Sequence, residues 1–140
     1  MQIVDADIEC IQQISEIEKN NFATEFYSYS QLMDLYSNPN YKIKIVKENN
    51  IFSGYIIIYK NVDFDEIFKI CIKKQFRRKG YGSALLSYAK DTCNNKIFLE
   101  VRACNQSAIN FYLSNGFKIN GRRIKYYSGI EDAILLEYIK

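Results

Sequence analysis

The sequence predicts a single mixed α/β (α+β) domain spanning 1–140, with a central sheet of six to seven strands flanked by about four helices. Three observations lead there. A chain of 140 residues is long enough to bury one full core. Its middle alternates strand, helix, strand, helix, whereas both ends read as antiparallel meander. Finally, Arg77-Arg78-Lys79-Gly80-Tyr81-Gly82 ends a basic extended segment and opens an apolar-periodic one, which marks a sharp strand-to-helix turn.

In chain order, Gln2–Val4 reads as a short strand. Asp5 or Asp7 then caps a helix over roughly 8–19, with Ile8, Ile11, Ile14 and Ile17 on one side. A short helix covers about 31–36, and Ser37-Asn38-Pro39-Asn40 is a turn signal. Lys42–Lys47 and Ile51–Lys60 form a hairpin about Glu48-Asn49-Asn50, and Glu66–Lys73 is the next strand. The glycine turn leads into a helix of about 82–93, followed by a strand over 96–101. Asn105 caps a helix that ends near Ser114, with Gly116 as its stop. Strands over 117–121 and 133–138 complete the set.

Composition narrows the chemistry. No apolar run approaches the roughly 20 residues that cross a bilayer, and the N-terminus lacks the basic-then-apolar form of a secretion signal. A cytoplasmic protein without membrane attachment is expected. Cys10, Cys71, Cys93 and Cys104 are scattered with no C-x-x-C pair, so they read as small apolar residues rather than metal ligands or bridges. The chain has no histidine. Ser-His and Cys-His nucleophile pairs and His-ligated metals are therefore excluded, and a general base has to be a carboxylate, tyrosine, cysteine or lysine.

The net charge of +3 is too small to argue for nucleic acid by itself, but it is unevenly spread. Lys73, Lys74, Arg77, Arg78 and Lys79 cluster without an acid between them. Residues 1–34 carry Asp5, Asp7, Glu9, Glu16, Glu18, Glu25 and Asp34 against Lys19 alone. That asymmetry fits a basic patch for an anionic ligand and an acidic region for a cationic partner; it equally fits the solvated face of an N-terminal helix.

The glycine turn is the strongest local signal. Glycine permits φ > 0 and close backbone approach, and the first amides of the following helix lack intrahelical partners at the positive end of its dipole. With three cations ahead of it, such a turn can cradle a pyrophosphate; the bland alternative is a tight loop with a solvated basic run. Leu85 stands where a dinucleotide fingerprint wants its third glycine, and the G-K-[ST] ending of a P-loop is missing. The stretch from Lys79 to Gly82 begins like an RNA-recognition strand motif, but a helix follows in place of the stacking aromatics.

Two further residues carry chemistry. Glu100 lies within the apolar strand Ile97-Phe98-Leu99-Glu100-Val101, where desolvation would raise its pKa toward a useful base. Alternation also allows it to share an outward face with Phe98. Tyr112 falls on one helical stripe with Asn105, Ala108 and Ile109, so it is either a core tyrosine or a proton donor beside the cap.

Taken together, Arg77-x-x-Gly80-x-Gly82, Leu99-Glu100-Val101-Arg102-x-x-Asn105 and Ala108-Ile109-x-Phe111-Tyr112-x-x-x-Gly116-Phe117 resemble the GNAT (GCN5-related) N-acetyltransferase family in order and spacing. The tail, with Arg122-Arg123, Tyr126-Tyr127 and Glu131-Asp132-Ala133-Ile134, is similar to the RimI-type branch, the ribosomal-protein-alanine N-acetyltransferases. The resemblance covers about 66–136 and implies a GNAT fold with acetyl-CoA as acetyl donor and no metal. It implies that pantetheine lies along Ile70, Cys71 and Ile72, that Arg77, Arg78, Lys79, Gly80, Tyr81, Gly82 and Ser83 take the pyrophosphate, and that Asn105 holds the cofactor from the next helix. It implies Glu100 as general base and Tyr112 as general acid in direct transfer to an amine.

The expected acceptor is a basic protein N-terminus, that of a ribosomal protein. An α-amine titrates near 8 and is partly neutral in the cell, unlike a lysine amine at about 10.4. Small amines such as polyamines or aminoglycosides form the same-fold alternative. An RNA- or ribosome-binding module is the alternative of another class, although direct nucleic-acid binding is not expected. The chain departs from the family pattern in three places. Lys73-Lys74 replaces an Asp-Pro pair, Phe22-Ala23-Thr24-Glu25-Phe26 replaces Phe-Pro-Trp in the acceptor-shaping segment, and Ile124-Lys125 is extra ahead of Tyr126, with a shorter Ser128-Gly129-Ile130 loop.

Overall fold

The computed structural model describes residues 1–22, 25–127 and 129–140. Ala23 and Thr24, in the segment expected to shape the acceptor site, and Ser128, in the loop before Glu131, lie outside the described residues. The elements run β1 (Gln2–Asp5), α1 (Ile8–Asn21), α2 (Tyr29–Ser37), β2 (Tyr41–Glu48), β3 (Ile51–Lys60), β4 (Asp65–Ile72), α3 (Tyr81–Thr92), β5 (Lys96–Arg102), α4 (Gln106–Ser114), β6 (Lys118–Tyr127) and β7 (Glu131–Ile139). Among the described residues the strands form one seven-stranded sheet in the order β1-β2-β3-β4-β5-β7-β6.

The local signals explain most of these elements. The Asp7 carboxylate caps α1 by accepting from the Cys10 amide at 3.1 Å. Ser28 and Gln31 form a capping box that starts α2 earlier than the apolar spacing alone suggested. Asn49 and Asn50 take positive φ at the hairpin tip, and Asn105 caps α4 through the Ala108 amide at 3.1 Å.

Helices cover both faces of the sheet. On one face, α1 and α2 bury Ile11, Ile14, Ile17 and Leu32 against Ile43, Ile45, Tyr55 and Ile57. On the other, α3 and α4 bury Leu85, Leu86, Ala89, Ile109 and Tyr112 against Ile56, Ile58, Ile67, Leu99 and Leu136. Covered on both sides, β3 becomes a continuous apolar run rather than an alternating one.

Some expectations change. Ile8 is exposed and Cys10 takes its place in the core, because strict spacing by threes drifts off a helix face. The N-terminal acids are not simply a solvated face or a free acidic patch. Asp5 pairs with Lys44, Asp7 is a cap, and Glu18 is fully buried. Of the cysteines, Cys10, Cys71 and Cys93 are buried and Cys104 is exposed. The penultimate strand is longer than expected. Register shifts between Ile119 and Gly121 and between Arg123 and Tyr127 absorb extra residues, with Lys125 at φ 51°, so Ile124-Lys125 bulges without ending β6.

One irregularity organises the rest of the molecule. Ile57 opposes Lys69 whereas Ile58 opposes Ile67, which leaves Phe68 as an extra residue in β4. Ile67, Ile70 and Ile72 therefore face the α3 side, while Phe68 and Cys71 face the α1 side.

Candidate active site

The strands β4 and β5 run parallel but pair only at Asp65–Ile97 and Glu66–Phe98. Past that point β4 carries its bulge and the two strands part. The β4 edge that faces β5 is left without a strand partner among the described residues. Two clefts open along the split, and they share Phe22, Ile70, Asn105, Ala108 and Tyr112 as a common wall.

The first cleft, about 600 Å³, lies between β4 and the start of α3. The structure brings here Ile70, Cys71 and Ile72 from β4, Arg77, Arg78, Gly80, Tyr81, Gly82 and Ser83 from the turn and α3, and Asn105 from the start of α4. Gly80 sits at φ 88° as the N-cap of α3 and offers no side-chain cap, so the first amides of the helix stay open toward the cleft. A Cβ on Gly82 would lie 3.0 Å from the Phe111 ring. The glycines are thus required for two different reasons, conformation at 80 and space at 82.

Two cations behave differently from the sequence expectation. Arg77 lines the cleft, but its guanidinium is committed to protein, donating from Nε to the Ile72 carbonyl at 2.9 Å and from Nη2 to Asn21 at 2.8 Å. It braces the turn against the end of α1. Lys79 does not line the cleft; its ammonium lies 6.0 Å from the centre of the Phe76 ring. Sequence reasoning missed Asn21, Phe22, Phe76 and Phe111 as cleft walls. Phe76 lay next to the motif and could have been found, whereas α1 reaches the site only through the tertiary fold.

The second cleft, about 780 Å³, lies on the other side of the shared wall. Glu100 projects into it from β5, on the face it shares with half-buried Phe98, while Leu99 and Val101 point into the core. It is not a desolvated, isolated carboxylate. Arg123 of β6 forms an ion pair with it, Nε lying 3.0 Å from Oε1, and it keeps partial exposure. Glu100 in turn is the main reason the Tyr126 hydroxyl is held above its usual pKa.

The burden of desolvation falls on a residue the sequence did not single out, Glu66 of β4. Burial raises its pKa and the charge of Glu100 raises it further, with Arg123 opposing. No alternation or motif marks Glu66; it enters the site because the parallel pairing of β4 and β5 sets it opposite Phe98, two residues before Glu100.

Tyr112 stands in the wall between the clefts, 7% exposed and packed against the rings of Phe111 and Phe117. Burial pushes its hydroxyl well above the usual tyrosine range, with Tyr127 adding to the shift. It therefore carries its proton throughout the neutral range. Among the described residues no hydrogen-bond partner engages that hydroxyl. No group of His, Cys, Asp or Glu among them is arranged to hold a metal, and no helix is long and apolar enough to cross a membrane.

Known proteins share this fold. Residues 8–117 match the model of the acetyltransferase (GNAT) family. A Bacillus subtilis protein provisionally named [ribosomal protein bS18]-alanine N-acetyltransferase is 29% identical over 134 residues, covering 92% of this chain and 89% of its own. The crystal structure of the ribosomal-protein-S18-alanine N-acetyltransferase from Escherichia coli superposes with a TM-score of 0.86 at 26% identity, covering 99% of this chain and 92% of that one. A Bacillus anthracis acetyltransferase, solved in complex with acetyl coenzyme A, superposes with a TM-score of 0.71 at 28% identity over 85% of this chain and 72% of its own. The split sheet, the glycine turn and the family match lead to one conclusion: this chain belongs to the GNAT acetyltransferase family and is an N-acetyltransferase.

Proposed function

We propose that the chain transfers acetyl from acetyl-CoA to the N-terminal α-amine of a protein, with a ribosomal protein as the acceptor. The observation that carries this reading is the pair of clefts meeting at Tyr112, one lined by backbone and glycine, the other by carboxylates and aromatic rings. The relatives named for acetylation of ribosomal-protein alanine support the acceptor class.

The first cleft fits acetyl-CoA on the chemistry of its donors. The unpaired edge of β4 suits an amide-containing arm, and the open amides of α3 behind Gly80 suit a pyrophosphate. Arg78 and the amides through Ser83 would hold the phosphates, and Asn105 would contact the cofactor from α4. When bound, acetyl-CoA supplies an activated acyl carbon. A backbone amide near Ile72 would polarise its carbonyl.

In the second cleft the neutral amine forms the new N–C bond by attack on that carbon. Glu100, directly or through water, takes the proton lost by the nitrogen. Tyr112 gives its proton to the sulfur as the C–S bond breaks, so an amide and free CoA thiol leave. The proton on Tyr112 is secure because burial raises its pKa. Direct transfer needs no acyl-enzyme, and the chain has no histidine to activate a nucleophile.

One observation favours a second reading. Glu66 has no ion-pair or hydrogen-bond partner among the described residues, and a half-buried carboxylate with its oxygens uncommitted suits a polyamine as well as a peptide amine. The deciding experiment follows thiol release from acetyl-CoA with an Ala-starting basic peptide, the same peptide blocked at its N-terminus but containing lysine, and spermidine. Turnover of the free-N-terminus peptide alone is expected; turnover of spermidine alone would replace the peptide reading.

A further inference from the structure

Glu18 is fully buried near the end of α1, and Lys69 lies 3.6 Å from it on the bulged strand β4. Such a pair pays heavily for desolvation, and an apolar pair of similar volume would pack at least as well. What it supplies instead is directed contact. The Glu18 carboxylate accepts from the Tyr27 amide at 2.9 Å and from the Tyr55 hydroxyl. The Lys69 ammonium donates to the Glu25 carbonyl at 2.7 Å and lies 3.5 Å from the centre of the Phe22 ring. These contacts grip the described residues after α1 at three points: the Phe22 ring, the Glu25 carbonyl and the Tyr27 amide. All three residues line the second cleft, and Phe22 also belongs to the wall between the clefts.

We propose that Lys69, held by Glu18, is a positioning residue that fixes Phe22, Glu25 and Tyr27 in the wall of the acceptor cleft and so sets acceptor affinity. The inference rests on the reading of that cleft as the acceptor site. Lys69 reaches Glu18 because the bulge at Phe68 resets the alternation of β4. Burial pulls the pKa of the Lys69 ammonium down while Glu18 opposes the shift, consistent with a desolvated cation in that wall. The Glu25 carboxylate adds a tie from the opposite wall by pairing with Arg102 of β5.

The test compares Lys69→Met and Lys69→Arg with the wild type in two assays. The first is steady-state kinetics with the Ala-starting peptide and acetyl-CoA varied separately. The second is hydrogen exchange at the Tyr27 amide, with core amides of β3 as reference. Lys69→Met is expected to raise the peptide KM about tenfold or more, the scale of a lost charged hydrogen bond, with the acetyl-CoA KM nearly unchanged. Its Tyr27 amide should exchange faster while β3 stays protected. Lys69→Arg, which keeps the cation, should recover most of the peptide KM. Unchanged peptide KM and Tyr27 exchange in Lys69→Met would overturn the proposal, as would equal losses for both substrates with faster exchange in β3. If the Met variant does not fold, Lys69→Gln replaces it with the same expectations. If the wild type turns over no peptide, the acceptor reading fails by itself, and Tyr27 exchange still decides whether Lys69 holds these residues.

Discussion

The two clefts are built from different materials. The proposed donor cleft is largely backbone: the free edge of β4, the φ of Gly80 and the first amides of α3, most of it drawn from one continuous stretch between Ile70 and Ser83. The proposed acceptor cleft is largely side chain, with Glu25 and Tyr27 from the residues after α1, Glu66 and Lys69 from β4, Glu100 from β5 and Tyr126 and Tyr127 from the end of β6. A backbone site tolerates most side-chain changes and reads out as a motif. A side-chain site depends on which distant strands meet, so it can be rewritten for a new acceptor while the donor half stays the same.

That contrast can be broken experimentally, and the largest effects are expected at the two residues proposed to move protons. Glu100→Gln and Tyr112→Phe should each lower kcat by roughly 10²–10⁴-fold, the usual range for a lost general base or acid. Acetyl-CoA affinity measured by calorimetry should stay within about twofold for both, since neither change removes a backbone donor. A comparable loss of acetyl-CoA binding in Tyr112→Phe would assign that residue to the donor cleft alone.

A change confined to the donor side should show the reverse pattern. In Gly82→Val, the added Cβ already meets Phe111 at 3.0 Å and the methyls must enter the cleft. Acetyl-CoA affinity should fall about tenfold or more, because the backbone can no longer approach the phosphates. Gly80→Ala would meet no atom within 4 Å, and its cost is conformational, at φ 88°, of about 1 kcal/mol. Equal acetyl-CoA losses in the two variants would contradict the separation of space from conformation.

Further from the chemistry, Gly54→Ala probes the strand pairing that shapes the donor edge. Its Cβ would lie 2.5 Å from Ile72 Cδ1 and 2.7 Å from the Cys71 carbonyl. Thermal unfolding should show a loss of about 1–3 kcal/mol, typical of overpacking. An unchanged Tm would mean that β3 and β4 separate easily.

The smallest effect belongs to Glu66→Gln. Its carboxyl is held above its ordinary value near 4.5 by burial and by Glu100, so ionisation weakens the fold at neutral pH. That weakening is fully present above the raised folded value and fades as pH falls through it toward 4.5. Glu66→Gln should therefore be slightly more stable than the wild type at pH 7, by less than about 1 kcal/mol given solvent screening. The gain should vanish in unfolding curves below pH 4.5. A gain that persists there would point to packing rather than charge.

The residues of this chain that could be read in advance share one property: their roles are settled within a few positions. Asp7 and Asn105 cap helices by reaching the amide three residues on. Gly80 and Gly82 work through their own backbone and the turn they form. The alternation through Ile97–Val101 fixed which face Glu100 occupies, though not that Arg123 would meet it there.

What the tertiary structure decided was of another kind. The bulge at Phe68, the approach of Glu66 to the charge of Glu100 across β4 and β5, the burial of Glu18 under Lys69 and the extension of β6 past Lys125 all depend on strand register and long-range closure. A one-residue shift in register reverses which face a side chain occupies, and nothing local to Phe68 or Glu18 signals that shift. The proposed donor half of this enzyme is thus written in adjacent residues, whose backbone conformations follow from short-range sterics. The proposed acceptor half is written in contacts between residues far apart in sequence, and these exist only once the sheet has chosen its register.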